Sequence, residues 1–244
     1  MRYAVLGDIH ANLSALDAVL ASIDQVGVDQ ILSVGDVVGY GAAPGACIQR
    51  LREHETIVVK GNHDAACAGE LDDLTFNRFA REAMTWTRAQ LGPDDHAWLR
   101  SLPLMVSLEH LELAHGSLES PAEFEYVRTT GDGGPSLDSL KRPVGFVGHT
   151  HVPIALLRPL EAGGRTAYAP AMDLDLAESQ ATLVNVGSVG QPRDEDHRTG
   201  WVLYDASTGR VSMTRLEYDI EREAARIRAA DLPRVLGDRL YLGV

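Results

Sequence analysis

The chain has 244 residues, a formal net charge of -13 and 45% hydrophobic residues, enough apolar material for one large α/β domain or two small ones. That acid excess argues against broad, charge-driven binding to a nucleic-acid duplex or an anionic membrane surface. No apolar stretch reaches the ~20 residues of a membrane span, no signal peptide precedes the strand-like start, and Cys47 and Cys67 stand in no metal-binding spacing, so a cytoplasmic, reducing location with two buried free thiols is expected.

In chain order, "RYAVLG" reads as a buried strand, and "NLSALDAVLASIDQVG" sets Leu13, Leu16, Leu20 and Ile23 at helical spacing behind Asn12, a capping residue. "QILSVG" predicts a second strand, "PGACIQRLREHE" a helix with Pro44 in its first turn, and "TIVVKG" a third strand. This βαβαβ order predicts a parallel sheet with helices packed on it. Residues 75–102 predict one or two helices, and short strands follow near 104–108 and 111–115. Segment 117–142 is polar and punctuated by Gly and Pro, a loop or small lid with a short helix at "SLDSL". Strands return at "VGFVG", "PIALLR", "ATLVNVG", "WVLYD" and "RVSMTRLEYD", the last two joined by "ASTG" as a hairpin, and a charged helix "IEREAARIRAA" follows. Segments 117–142 and 159–181 are expected to rim a cleft. No linker divides the chain, so a single domain over residues 1–244 with a mixed sheet system is expected.

The chemistry-bearing residues sit where strands end, the place at which open α/β sheets gather ligands. Strand one runs into "GDIH" (Asp8, His10), strand two into "GDVVGYG" (Asp36) and strand three into "GNHD" (Asn62, His63, Asp64). Later strands end in "AHG" (His115) and "GHTH" (His149, His151). Each has a structural alternative on its own: Asp8 or Asp36 as a helix cap, His115 as a satisfied core residue. Five of the nine histidines in one topological position, each cluster beside a glycine, argue against five separate structural roles. Nitrogen and oxygen donors without thiolate suit Zn, Mn, Fe or Ni. Seven such donors exceed one tetrahedral ion and match two ions sharing a carboxylate, about 3.5 to 4 Å apart, an arrangement suited to phosphate-ester hydrolysis.

These five motifs, in this order over residues 7–151, resemble the calcineurin-like metallophosphoesterase superfamily, and "NVGSVGQPRD" at 185–194 resembles a turn of its small bacterial phosphoesterases. The resemblance implies an α/β fold, a two-layer mixed β-sandwich flanked by helices, with a dinuclear site along one edge. It implies Asp8, His10 and His151 as ligands of one divalent ion, Asn62, His115 and His149 as ligands of a second, Asp36 as the bridging carboxylate, and a bridging hydroxide as nucleophile. It leaves His63 to act on the substrate as the catalytic residue. Asp64 either orients His63 or caps the next segment. The protein Ser/Thr phosphatases of the superfamily carry "GDxxDRG", whereas this chain has Gly39 in place of the aspartate that partners the catalytic histidine and Tyr40 in place of the phosphate-gripping arginine. Arg193 is a candidate replacement cation or an exposed loop arginine; Tyr40 stacks on a base or packs the turn. A small phosphorylated substrate or nucleotide is the expected partner. The alternatives are a scaffold that keeps the fold without catalysis and a nucleotide sensor with slow turnover.

Overall fold

Alternation along the first strand sets the architecture. In β1 (Arg2–Leu6), Tyr3 and Val5 face one side, Ala4 and Leu6 the other, and all four are buried; a strand buried on both faces needs a packed layer on each. The computed structural model describes residues 1–159, 164–170, 173–176 and 181–244. In chain order β1 is followed by α1 (Leu13–Val26), β2 (Gln30–Ser33), α2 (Pro44–Glu53), β3 (Ile57–Val58), α3 (Asn62–Ala68), α4 (Arg78–Gln90) and α5 (Pro93–Ser101). Next come β4 (Met105–Ser107), β5 (Leu111–Ala114), α6 (Gly133–Ser139), β6 (Val144–Val147), β7 (Ile154–Arg158), β8 (Ala167–Ala169), β9 (Asp173–Asp175) and β10 (Ala181–Asn185). The last elements are β11 (Thr199–Asp205), β12 (Arg210–Leu216), α7 (Ile220–Ala229) and α8 (Arg234–Asp238).

Among the described residues the strands form two six-stranded sheets, β3-β2-β1-β11-β12-β9 and β4-β5-β6-β10-β7-β8. Each holds a parallel run, β1 with β2 and β3 in the first and β5 with β6 and β10 in the second, flanked by antiparallel strands. Tyr3, Val5, Leu32 and Val34 of the first sheet meet Leu113, Phe146, Val184 and Val186 of the second in the inter-sheet core. Outside the first sheet, Leu16, Leu20 and Ile23 of α1 and Ile48 and Leu51 of α2 close over Ala4, Leu6 and Trp201. Outside the second, Leu137 of α6 packs with Val147, Leu156 and Leu183. The mixed sandwich flanked by helices is therefore the observed fold.

The predicted caps are in place. Asn12 Oδ1 accepts from Ala15 N at 3.0 Å, and Pro44 opens α2. Cys47 and Cys67 are buried free thiols, and among the described residues no helix is long and apolar enough to cross a membrane. Three elements differ from the expectation. Asn62, His63 and Asp64 form the first turn of a helix, α3, and not an open loop. A short 3-10 turn at Arg239–Tyr241 and helix α8 extend the C-terminal segment beyond the single helix expected. Within 159–181, β8 and β9 prolong the edges of the two sheets, and among its described residues none lines the cleft at the site; residues 160–163, 171–172 and 177–180 lie outside the described residues. Segment 117–142 does reach that cleft, through Phe124 and Tyr126.

Candidate metal centre

The loops following β1 and β2 and the start of α3 after β3, with the loops following β5 and β6 in the other sheet, bring Asp8, His10, Asp36, Asn62, His63, His115, His149 and His151 together, all buried. Main-chain bonds interlock these loops: Asp8 N donates to Gly35 O (3.0 Å), His10 N to Asp36 O (2.9 Å) and Gly148 N to His115 O (2.8 Å). The backbone is strained where the donors are. Among the described residues eleven non-glycine residues have positive φ, and Asp8, His10, Asp36, His149 and His151 are five of them. Each costs on the order of 1–3 kcal/mol and persists only where the surroundings impose it, which marks these turns as built for the side chains they aim.

"NVGS" supplies much of that surrounding. Asn185 Nδ2 donates to Gly148 O (2.5 Å) and Thr150 Oγ1 (2.9 Å), fixing the "GHTH" turn. Ser188 Oγ donates to Asp8 O (2.7 Å) and accepts from Gln191 N (2.8 Å), tying the Asp8 turn to the 188–191 loop.

Two donor groups meet at Asp36, which with His10 and His63 forms a third, overlapping set. In the first, Asp8 Oδ1 lies 3.3 Å from His151 Nε2 and 4.0 Å from His10 Nε2, and the two Nε2 atoms are 3.1 Å apart. In the second, His115 Nε2 is 3.1 Å from His149 Nδ1, 3.1 Å from Asn62 Oδ1 and 3.3 Å from Asp36 Oδ2. Asp36 Oδ2 is also 3.6 Å from His10 Nε2.

Hydrogen bonds at the far ring nitrogens decide what these contacts are. His10 Nδ1 donates to Val38 O (3.1 Å), His151 Nδ1 to Gln191 O (2.6 Å) and His115 Nδ1 to Val34 O (2.8 Å). A neutral imidazole with its proton on Nδ1 has only a lone pair at Nε2. His10 and His151 then face each other lone pair to lone pair, and His115 Nε2 faces an amide oxygen and a carboxylate. Such contacts repel unless a positive charge, a metal ion or at His115 a proton, lies between them. Donors about 2.0–2.2 Å from one ion stand about 3 to 3.5 Å from each other, the spacing seen here, and the main-chain acceptors on Nδ1 are the usual orienting partners of metal-bound histidines. The residues therefore fit a divalent ion in each group.

Burial governs the charges. It holds His10 and His151 well below the usual imidazole range and His149 down to about 2, so all three are neutral, as ligands must be. Burial also pushes Asp8 up to about 7. For His115 burial is outweighed by the Asp36 carboxylate, which lifts it to about 9, while His115 and His63 hold Asp36 well below the carboxylate range against its own desolvation. In the absence of metal, the Asp36–His115 pair would share a proton where a cation would stand.

His63 has a different environment. Its Nδ1 is buried with no hydrogen-bond partner, and burial lowers its pKa to about 4. A Cβ at Gly39 (φ 90°) would lie 2.4 Å from that nitrogen, so position 39 does face His63, and glycine leaves it without the carboxylate that the phosphatases supply. Its ring packs against Tyr40 (4.6 Å) and Phe76 (4.6 Å). Asp64 does not touch His63. Its Oδ1 accepts from Val37 N (2.9 Å) and Val38 N (3.2 Å) and its Oδ2 from Gly61 N (3.0 Å), capping α3 and stitching the Asp36 loop to it. Asp64→Ala strands three buried amides at a cost of about 1–3 kcal/mol each; urea unfolding is expected to show a loss of about 3 kcal/mol or more, and a loss below about 1 kcal/mol would show that the stitch is dispensable.

A cleft of about 520 Å³ opens onto the donors and is lined by Tyr40, Asn62, His63, Phe76, Tyr126 and His149, among others. The larger concavity, about 1000 Å³ beside α2 and the start of α5, contains no histidine. Tyr126 stacks on His149 at 3.8 Å, and Arg128 sits 3.9 Å from the Tyr126 ring centroid. Tyr40 lines the cleft, and Arg193 is not among its lining residues but lies behind Tyr40, its Nη2 3.5 Å from Tyr40 Oη.

Residues 1–209 match the calcineurin-like phosphoesterase superfamily domain. The chain belongs to that superfamily. As a calcineurin-like phosphoesterase it is a metal-dependent enzyme. It is 34% identical over 253 residues to the uncharacterized protein MJ0912 of Methanocaldococcus jannaschii, covering 98% of this chain and 97% of that one. It is 27% identical over 165 residues to phosphodiesterase YfcE of Escherichia coli, covering 64% and 72%. The crystal structure of a metallophosphoesterase from Sphaerobacter thermophilus superposes with a TM-score of 0.88 at 39% identity, over 100% of this chain and 99% of that one. Phe124 and Tyr126 at this phosphoesterase's cleft fall in no periodic pattern, and away from the cleft lining Gln191 and Arg239 reach Arg193 from loop and tail.

Proposed function

We propose that the protein hydrolyses a small phosphodiester or nucleotide at two divalent cations, one held by Asp8, His10 and His151, the other by Asn62, His115 and His149, with Asp36 shared. The observation that carries this reading is the pair of buried donor groups meeting at Asp36, with the His10 and His151 lone pairs opposed in one and His115 crowded by oxygen and nitrogen donors in the other. When bound, two cations supply Lewis-acid charge for the phosphoryl oxygens and activate the attacking water. The protein's residues do the rest. Asp36 keeps the two groups in register, since its Oδ1 also accepts from His63 N (2.9 Å). His63, uncharged at neutral pH and free of a carboxylate partner, donates a hydrogen bond to a phosphoryl or leaving-group oxygen. Tyr40 and Phe76 shield it from water, and Arg193 supplies a cation at the Tyr40 side. The lack of an arginine at position 40 favours a singly charged diester over a doubly charged monoester, in keeping with the phosphodiesterase named among the relatives. The complete donor set speaks against a catalytically silent scaffold. Mn, Fe, Zn and Ni all suit the donors, and the two buried thiols suit a reducing, cytoplasmic setting.

Turnover of bis-p-nitrophenyl phosphate and p-nitrophenyl phosphate, with Mn, Ni, Co and Zn added separately, tests this. Metal-stimulated hydrolysis, faster on the diester, is expected; no hydrolysis with any metal would refute it. His63→Ala is expected to lower kcat by ~10²–10⁴ with metal content unchanged. Loss of a metal ion in that variant would make His63 a ligand instead.

A further inference from the structure

Two arginines converge beside the site, and among the described residues neither is ion-paired to an Asp or Glu side chain. Arg193 Nη2 and Arg239 Nη1 both donate to Gln191 Oε1, at 2.9 and 3.2 Å. Arg193 Nε is buried and has no hydrogen-bond partner, whereas Arg239 Nε donates to a carboxyl oxygen of Val244, the last residue (2.6 Å), so the unmet demand lies at Arg193 and at the Arg239 Nη groups. Other half-buried arginines are ion-paired, Arg88 with Asp73, Arg215 with Asp194 and Arg226 with Glu223. Even Asp194, the neighbour of Arg193 in the chain, turns away to Arg215. Among the described residues no Asp or Glu side chain pairs with Arg193 or Arg239. Two guanidinium groups sharing one neutral acceptor repel each other and remain under-solvated, and burial, then Arg193, holds Arg239 below the usual guanidinium range. An anion relieves both costs, and planar arginine forks are suited to phosphoryl oxygens.

The pair adjoins the reacting centre at its Tyr40 side, with Arg193 nearer and Arg239 behind it. Arg193 N donates to His151 O (3.2 Å), and its guanidinium lies 5.8 Å from the Tyr40 ring centroid; Tyr40 in turn packs on His10 (4.7 Å) and His63 (4.6 Å). Arg239 lies beyond the residues matched to the superfamily domain, in the C-terminal segment, so the shared metal chemistry does not demand it. We propose that Arg193 and Arg239 bind a second phosphoryl group of the substrate, one that is not cleaved, making the preferred substrate a phosphate ester that carries another phosphate beyond the reacting one. This names the substrate class of the site and rests on its reading as a phosphoesterase.

Calorimetric titration of the Mn-loaded protein with methylphosphonate and with α,ω-alkanediphosphonates of two, three and four carbons tests the pair by binding alone. The best diphosphonate is expected to bind at least about tenfold tighter than methylphosphonate. In Arg239→Gln, with its melting temperature checked, that ratio is expected to fall to about one, and in Arg239→Lys it is expected to recover in part, as a charge but not a fork is restored. Equal affinity for mono- and diphosphonate in the wild-type protein, or a ratio unchanged in Arg239→Gln, would overturn the proposal. Failure of hydrolysis on the chromogenic esters, with the affinity ratio intact, would instead overturn the catalytic reading and leave the subsite standing.

Discussion

Asp36→Asn is expected to lower phosphoesterase kcat by about 10³-fold or more, because one carboxylate serves both donor groups and several kcal/mol of transition-state stabilisation depend on the ions it helps hold. The same change is expected to leave the protein folded. An asparagine oxygen can still accept from His63 N, which Asp36 Oδ1 does at 2.9 Å. Its amide N–H groups would then point at His115 Nε2 and His10 Nε2, which lie 3.3 and 3.6 Å from Asp36 Oδ2. The substitution thus exchanges the proton-sharing Asp36–His115 pair of the metal-free protein for neutral amide–imidazole hydrogen bonds, an exchange that is often close to neutral, so metal-free Asp36→Asn is expected to melt within a few degrees of the metal-free wild type. Metal analysis beside thermal melting checks both halves. Full metal occupancy with near-normal turnover would remove Asp36 from its shared role.

Stripping the wild-type protein with a chelator is expected to abolish turnover and to lower its melting temperature by roughly 8 to 16 °C. Ligands that bind only the folded chain stabilise it by about 4 kcal/mol at a thousandfold excess over Kd, and about 2–4 °C accompanies each kcal/mol in a chain of this size. The cause is local. Metal removal returns the opposed His10 and His151 nitrogens to mutual repulsion and leaves a single proton to hold the His115–Asp36 contact, on turns already held at positive φ. Differential scanning calorimetry with and without re-added Mn reads the effect, and an unchanged melting temperature would mean that the donors tolerate emptiness and were not built around ions.

Much of the site was legible because each donor follows an apolar strand and sits beside a glycine, a local pattern that marks a tight strand-end turn. The two layers of the sandwich were likewise foreshadowed by runs such as "RYAVL" and "VGFV", apolar on both faces. What escaped depended on distance in the chain. Helix α3 begins only four residues after the two-residue strand β3, and "GNHD" carries the glycine and polar residues of a turn, so the helix is visible only once Asp64 is seen accepting from Val37 and Val38, 27 and 26 residues away. Strands β8 and β9 have three residues each and lie at sheet edges, too short for period-two patterning. The choice between roles for Asp64 was likewise tertiary: its bonds make it a cap. Arg239 is one arginine in a charged tail until the fold lays it against Gln191, 48 residues distant.

The proposed hydrolysis requires two ions, divided at Asp36. Anomalous diffraction from crystals of the Mn-loaded protein, measured at the metal edge, tests it most directly. The account predicts two peaks about 3.5 to 4 Å apart, one among Asp8, His10 and His151, the other among Asn62, His115 and His149, with Asp36 between them. A single peak at full loading, or peaks away from these residues, would contradict it.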